Sequence, residues 1–230
     1  MTETGKSIPW HQKLLSLAAS VVGVFALLFL PAGTLAWPAG WWFFAVAMAA
    51  MAVATVFVVR ASPEIFETRS GFKPGTKDWD LVLVGLLAAA LVAVPVVAGL
   101  DFRWNWSAMP LPLMLLGYLP AFAALAVLAW AQAENRFFEL GVRIQSDRGH
   151  VVVDSGPYAH VRHPGYIATV LLGFGGALAL GSWWALLPAA VLVVVLAYRT
   201  LREDETLAAE LAGYAHYRRQ VRYRWIPGVW

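Results

Sequence analysis

LVLVGLLAAALVAVPVVAGL, residues 81–100, contains no charged, amide or hydroxyl side chain. A helix of roughly 20 apolar residues crosses the hydrocarbon core of a bilayer, and this run reaches that length with only Pro95 as a candidate kink. Three further runs carry no Asp, Glu, Lys or Arg: Leu14 to Val59, Trp104 to Ala133, and Pro164 to Tyr198. The whole chain of 230 residues is 60% hydrophobic and 13% charged, where a soluble domain carries about 25% charged residues. The pattern predicts an all-α, polytopic transmembrane protein.

Helix breakers divide the longer runs. Pro31, Gly33 and Pro38 separate helices near Leu14–Leu30 and Trp41–Val59. Pro110 and Pro112 open a helix reaching about Ala131, and Gly181-Ser182 splits the last run into Tyr166–Leu180 and Trp183–Tyr198. The last two are short, so a re-entrant hairpin is the alternative, and the count is six spans with five as the fallback. With the N-terminus inside, all but one of the 17 Lys and Arg residues fall on the cytoplasmic side, the exception being Arg103. That asymmetry predicts six spans with both termini cytoplasmic. The first span reads as an uncleaved anchor rather than a signal peptide, because Trp41 starts another span at once.

The longest polar segments are Arg60–Asp80, Ala133–Gly165 and Arg199–Trp230, all on the predicted cytoplasmic side with every acid but Asp101, so a site is expected at that face. The net charge of +3 comes from residues positioned to meet lipid headgroups and points to no nucleic acid. The bilayer is the expected partner. No Cys is present, which excludes disulfides and thiol catalysis. The His spacings offer no metal site, and His11, His150 and His216 read as solvated interface residues. Gly173-Phe174-Gly175-Gly176 sits in a span and reads as helix packing, not a dinucleotide loop.

Two segments concentrate functional side chains. In Gly156-Pro157-Tyr158-Ala159-His160-Val161-Arg162-His163-Pro164-Gly165-Tyr166, Gly-Pro predicts a turn and Pro164 a helix start. Arg162 and His163 then lie at the mouth of a membrane helix, where they either attract an anion or snorkel to lipid phosphate. In Arg199-Thr200-Leu201-Arg202-Glu203-Asp204-Glu205, Arg199 and Glu203 are spaced to share one helix face. Arg202, Asp204 and Glu205 read as a charged stop after the span. The tail, with Tyr214, Tyr217 and Val221 on one stripe and Arg218, Arg219, Arg222 and Arg224 on the other surface, predicts an interfacial helix anchored by Trp225 and Trp230.

The order Gly-Pro-Tyr-x-x-x-Arg-His-Pro-x-Tyr (156–166), Arg199-x-x-x-Glu203-Asp204-x-x-Leu207, Gly213-Tyr214-x-x-Tyr217 and Arg224-Trp225-Ile226-Pro227-Gly228-Val229-Trp230 resembles the isoprenylcysteine carboxyl methyltransferase family of membrane enzymes. Pro63-Glu64 and Gly75-Thr76-Lys77-Asp78-Trp79-Asp80 resemble its bacterial branch. Asp204 stands where many relatives carry a second Glu. The resemblance implies a helical fold without a Rossmann domain, placed in the bacterial inner membrane. Residues 1–60 would form an N-terminal hairpin and 60–230 the methyltransferase-like core of a single domain. It further implies S-adenosylmethionine (SAM) as cofactor and a lipophilic or amphiphilic methyl acceptor entering from the bilayer. By the same resemblance Tyr158, His163, Pro164, Tyr166 and Glu203 would line the cofactor pocket, while Arg162, Arg199 and Glu203 would serve the reaction, the two arginines approaching the acceptor.

Carboxyl O-methylation is the first expectation and phospholipid-type N-methylation the second. NADPH-dependent membrane sterol-type reductases share related tails but generally continue with a polar residue and Gly-Glu after the motif's Tyr, where this chain has Ile167, Ala168 and Thr169. A transporter would carry ionisable groups at mid-membrane, and the predicted spans carry none.

Overall fold

The computed structural model describes residues 10–61 and 71–230. Lys6, Pro63-Glu64 and Arg69, and the side chains of His11 and Lys13, lie outside the described set. The described residues form seven α-helices and no strand: α1 (Trp10–Ala32), α2 (Pro38–Ala61), α3 (Asp78–Trp104), α4 (Leu111–Glu134), α5 (Pro164–Ala179), α6 (Leu186–Glu210) and α7 (Tyr214–Gln220). Three meet the length and apolarity of a membrane crossing: Pro38–Val58, Asp78–Trp104 and Leu111–Glu134. Ala18–Ala32 and Pro164–Ala179 are shorter apolar helices. Many large apolar side chains on these helices are exposed, Val82, Leu115 and Leu119 among them, as a lipid solvent requires.

Without a hydrophobic drive between helices in lipid, close packing needs small side chains. The most extensive pairing, α4 on α5, shows this directly. A Cβ added to Gly117 would stand 2.6 Å from the Ala179 amide nitrogen, and one on Gly175 2.7 Å from that of Ala121. Gly175 thus packs helices, as the glycine-rich run predicts. Along α1 and α3 the same contact falls at Gly99, where a Cβ would meet the Leu28 carbonyl at 2.9 Å.

At one end of the bundle sits a polar latch. Asp101, 2% exposed, accepts hydrogen bonds from Ser107 and Ser182. Ser182 in turn caps the Ala185 amide at 3.0 Å. Trp104, Trp106, Trp183 and Trp184 are exposed around this end, in the manner of an interfacial aromatic belt.

Helix limits differ from expectation mainly at α6. The apolar run suggests a helix from Trp183 to Tyr198, yet α6 starts at Leu186 and continues to Glu210. Trp183–Ala185 form the turn after Gly181, which has φ +79°. Hydropathy marks where a helix leaves apolar solvent, not where its hydrogen bonding ends. The extension lets α6 carry Arg199, Glu203 and Asp204 out of the bundle as one rigid rod.

Candidate functional site

Opposite the Asp101 latch, four elements converge on a cavity of about 400 Å³. They are α3 from Val84 to Leu91, the end of α4 with its following irregular segment, the Gly156–Tyr166 segment that enters α5, and the outer half of α6. A short 3-10 turn over Gly156–Ala159 buries Tyr158, and Pro164 then opens α5 as expected. One end of the cavity is polar, bordered by Arg162, His163, Tyr166, Arg199 and Glu203. The other end runs between α3, α4 and α5 along Leu87, Leu91, Leu125, Leu128 and Leu172. From Asp80 to Leu91 the α3 axis rises roughly 16 Å, so the apolar arm penetrates well into the bundle.

Asp204 is the hub of the polar wall and is 1% exposed. Its Oδ1 accepts from His163 Nε2 at 2.9 Å, Tyr214 Oη at 2.6 Å and Arg162 Nε at 3.2 Å. Oδ2 accepts from Arg162 Nη2 at 2.6 Å and Arg224 Nε at 3.0 Å. Burial alone would raise its pKa. The hydrogen bonds from His163, Arg162 and Tyr214 overcome that and hold the carboxyl well below the usual carboxylate range. Reading Asp204 as part of a charged stop is therefore corrected, whereas Glu205 is exposed as expected.

Arg162 is consumed by this wall. Beyond the two bonds to Asp204, its Nη1 donates to the carbonyls of Val221 and Arg222 at 2.9 and 3.1 Å. The Arg162 and His163 amides also donate to the Tyr223 and Arg224 carbonyls. With Trp225 Nε1 bonded to Thr200 Oγ1 at 3.0 Å, the tail is fastened across the site. At 6% and 7% exposed, Arg162 and His163 do not snorkel to lipid; the anion at this helix mouth is the chain's own Asp204.

Arg199 and Glu203 share a face of α6 but do not pair with each other. Arg199 donates Nε to Asp80 Oδ1 at 2.6 Å, and Nη2 to Asp80 Oδ2 at 2.9 Å and the Leu140 carbonyl at 2.8 Å. Its guanidinium lies 5.2 Å from the Tyr166 ring centre, a cation–π distance. Glu203, half-buried, accepts from the Tyr166 hydroxyl and has Oε2 3.7 Å from His163 Nδ1. The His163 and Tyr166 rings stack at 5.2 Å. Burial pushes the hydroxyls of Tyr158, Tyr214 and Tyr217 well above their ordinary pKa, so each stays a neutral donor. All seven residues singled out by the sequence, Tyr158, Arg162, His163, Pro164, Tyr166, Arg199 and Glu203, border one cavity.

Sequence reasoning missed the segment after α4. Phe137, Glu139, Arg143, Gln145 and His150 also border the cavity. Arg143 bridges Glu139 and Asp147 at 2.7 Å each, and Gln145 Nε2 donates to the Phe137 carbonyl at 2.7 Å. His150 is half-buried against Phe137, ring centres 4.6 Å apart, and its Nδ1 accepts from the Gln145 amide, so its reading as a solvated residue is corrected. Burial lowers its pKa and favours the neutral ring. The segment has no periodicity and no motif that would have marked it. His216, by contrast, is exposed as expected.

Residues 115–209, which span both polar segments, match the model of the Isoprenylcysteine carboxyl methyltransferase (ICMT) family. Over those residues the chain is similar to the ICMT family. That family is one of membrane methyltransferases, a group that in general uses SAM. No curated protein matches the chain. The ICMT-like match ends before the tail and begins after α3, so Asp80 and the Arg224–Trp230 strap both lie outside it.

Proposed function

We propose that the chain is a SAM-dependent methyltransferase that carries out carboxyl O-methylation of a lipophilic or amphiphilic acceptor. One observation carries the reading: a single cavity joins a polar end built on Tyr166, Arg199 and Glu203 to an apolar arm between membrane helices. SAM supplies an electrophilic methyl on a sulfonium, a chemistry that needs positioning and water exclusion more than proton transfer. The residues fit such a group. Glu203 offers a carboxylate to ribose hydroxyls or to the positive sulfur, and Tyr158 and Tyr166 offer ring faces to the same charge. His163 and Pro164 shape the floor beside them.

The apolar arm receives the acceptor's lipid portion, which brings its carboxylate to the polar end. Arg199 orients that carboxylate. Arg162, whose donors are spent on Asp204 and the tail, acts in this reading as a wall rather than as a contact to the acceptor. Around this site we read a single membrane domain of six spans in a bacterial inner membrane, both termini cytoplasmic, with residues 1–60 as an N-terminal hairpin.

Purified protein in detergent should bind SAM in titration calorimetry, and membranes given methyl-labelled SAM should yield a base-labile, lipid-extractable methyl ester. Absence of SAM binding overturns the reading as a whole. A base-stable product on an amine headgroup would replace O- by N-methylation.

A further inference from the structure

We propose that Asp80, on α3 and outside the family-matched segment, is a positioning residue that orients Arg199 for the acceptor. The proposal rests on the methyltransferase reading above and adds to it an atom-level account of how Arg199 is presented.

A guanidinium has five N–H donors. Nε and both hydrogens of Nη2 are committed to Asp80 and the Leu140 carbonyl. The Nη1 amino group makes none of these bonds, while Arg199 itself borders the cavity. An incoming carboxylate therefore meets Nη1 and not the Nε–Nη2 fork, which faces α3. Asp80 itself does not border the cavity. Of the side chains that border the cavity, the one its carboxylate holds is Arg199.

Two features argue that Asp80 does more than join helices. Burying an ion pair costs much of what the pair returns, and apolar side chains would hold α3 to α6 equally well. The pair is ionic because one member has to present charge to the cavity. Second, Arg199 and Glu203 occupy the spacing at which opposite charges on a helix pair. Left alone, the arginine would fold onto Glu203 and neutralise the carboxylate the cofactor site needs. Asp80 on one side and the Tyr166 ring on the other hold Arg199 away, and the Tyr166 hydroxyl takes up Glu203 instead. Asp80 Oδ2 also accepts from the Val142 amide at 2.6 Å, which fixes the carboxylate itself.

The test uses full-length protein in detergent, with SAM affinity measured by calorimetry and base-labile methyl transfer measured to total membrane lipid extract at saturating SAM. Asp80→Asn should raise the apparent KM for the extract by about tenfold or more, the scale of one misdirected charge-assisted hydrogen bond. Its SAM affinity and kcat should stay close to wild type. Asp80→Glu keeps the charge but displaces the guanidinium, and should also raise that KM while folding and binding SAM normally. Lys77→Ala removes the neighbouring exposed Lys77–Glu210 pair and should leave the KM unchanged. Any Asp80 variant that folds, binds SAM and keeps the wild-type acceptor KM overturns the proposal, as does a parallel loss of SAM affinity and acceptor KM in Asp80→Glu. Should wild type itself bind no SAM or transfer no methyl, the fault lies with the methyltransferase reading and not with Asp80.

Discussion

Two buried guanidiniums face the same cavity, and the contrast between them separates wall from working surface. Arg162 meets an aspartate that three other side chains also contact, and its remaining amino group is spent on backbone carbonyls of the tail. Arg199 meets an aspartate shared only with one backbone amide, and Nη1 stays outside the network. Both pairs look alike as buried Arg–Asp bridges. Donor by donor they differ: the first closes the structure and the second leaves a donor over. A cation's catalytic availability is thus set by what its neighbours have already taken.

The sharpest break in the comparison is Asp204→Ala. It strands Arg162 and Arg224 in a buried wall without their counter-charge, and removing one partner of such a pair costs about 3–5 kcal/mol. Thermal unfolding in detergent should show a large fall in Tm, with the tail detached from Arg162. Asp80→Asn should destabilise less, since Leu140 and Tyr166 still hold Arg199. Equal losses in the two variants would erase the distinction between the sites.

Next in size is the separation of the two arginines by function. Arg199→Lys keeps charge but loses the fork, and acceptor turnover should fall by about tenfold or more. Arg162→Lys should instead lower Tm while the surviving folded fraction keeps its acceptor KM. Glu203→Gln should weaken SAM binding by about tenfold, more than Arg199→Lys does, because a carboxylate facing a sulfonium contributes charge that an amide lacks. Equal SAM affinity of wild type and Glu203→Gln would refute the role given to Glu203.

The smallest effects are in pH dependence. Asp204 has a folded pKa below its unfolded value, so its stabilisation is present above about pH 4 and drains away as pH falls toward the lower folded value. Melting curves should therefore decline on the acid side, and Asp204→Asn should flatten that decline. His150 is shifted the same way for a different reason, burial of its ring. The unfolded chain then binds more protons near pH 6, so stability rises with pH through that range. His150→Gln should remove a small part of that rise.

Much of this was written in the sequence. Charge-free runs disclose membrane helices because a bilayer tolerates few alternatives, and the 156–166 and 199–203 segments flag one face. What stayed hidden depends on partners distant in the chain. Nothing near Asp80 announces that Arg199, on another helix, will reach it. Asp204 looks like an ordinary acid in a charged cluster until the tail folds back and brings Tyr214 and Arg224 to it. The Arg199–Glu203 spacing carries α6 past Tyr198, but its end at Glu210 was illegible because hydropathy ends at Tyr198 while the backbone hydrogen bonds do not. His150 was misread because an irregular segment has no period to reveal which side chains turn inward.

The most direct test of the account is methyl transfer itself. Membranes containing the protein, incubated with methyl-labelled SAM and extracted into organic solvent, should yield a base-labile labelled product identified by mass spectrometry as a methyl ester of a lipophilic carboxylate. That product should fall sharply with Arg199→Lys. Wild-type membranes that form no labelled lipophilic product, with protein that shows no SAM binding, would contradict the account.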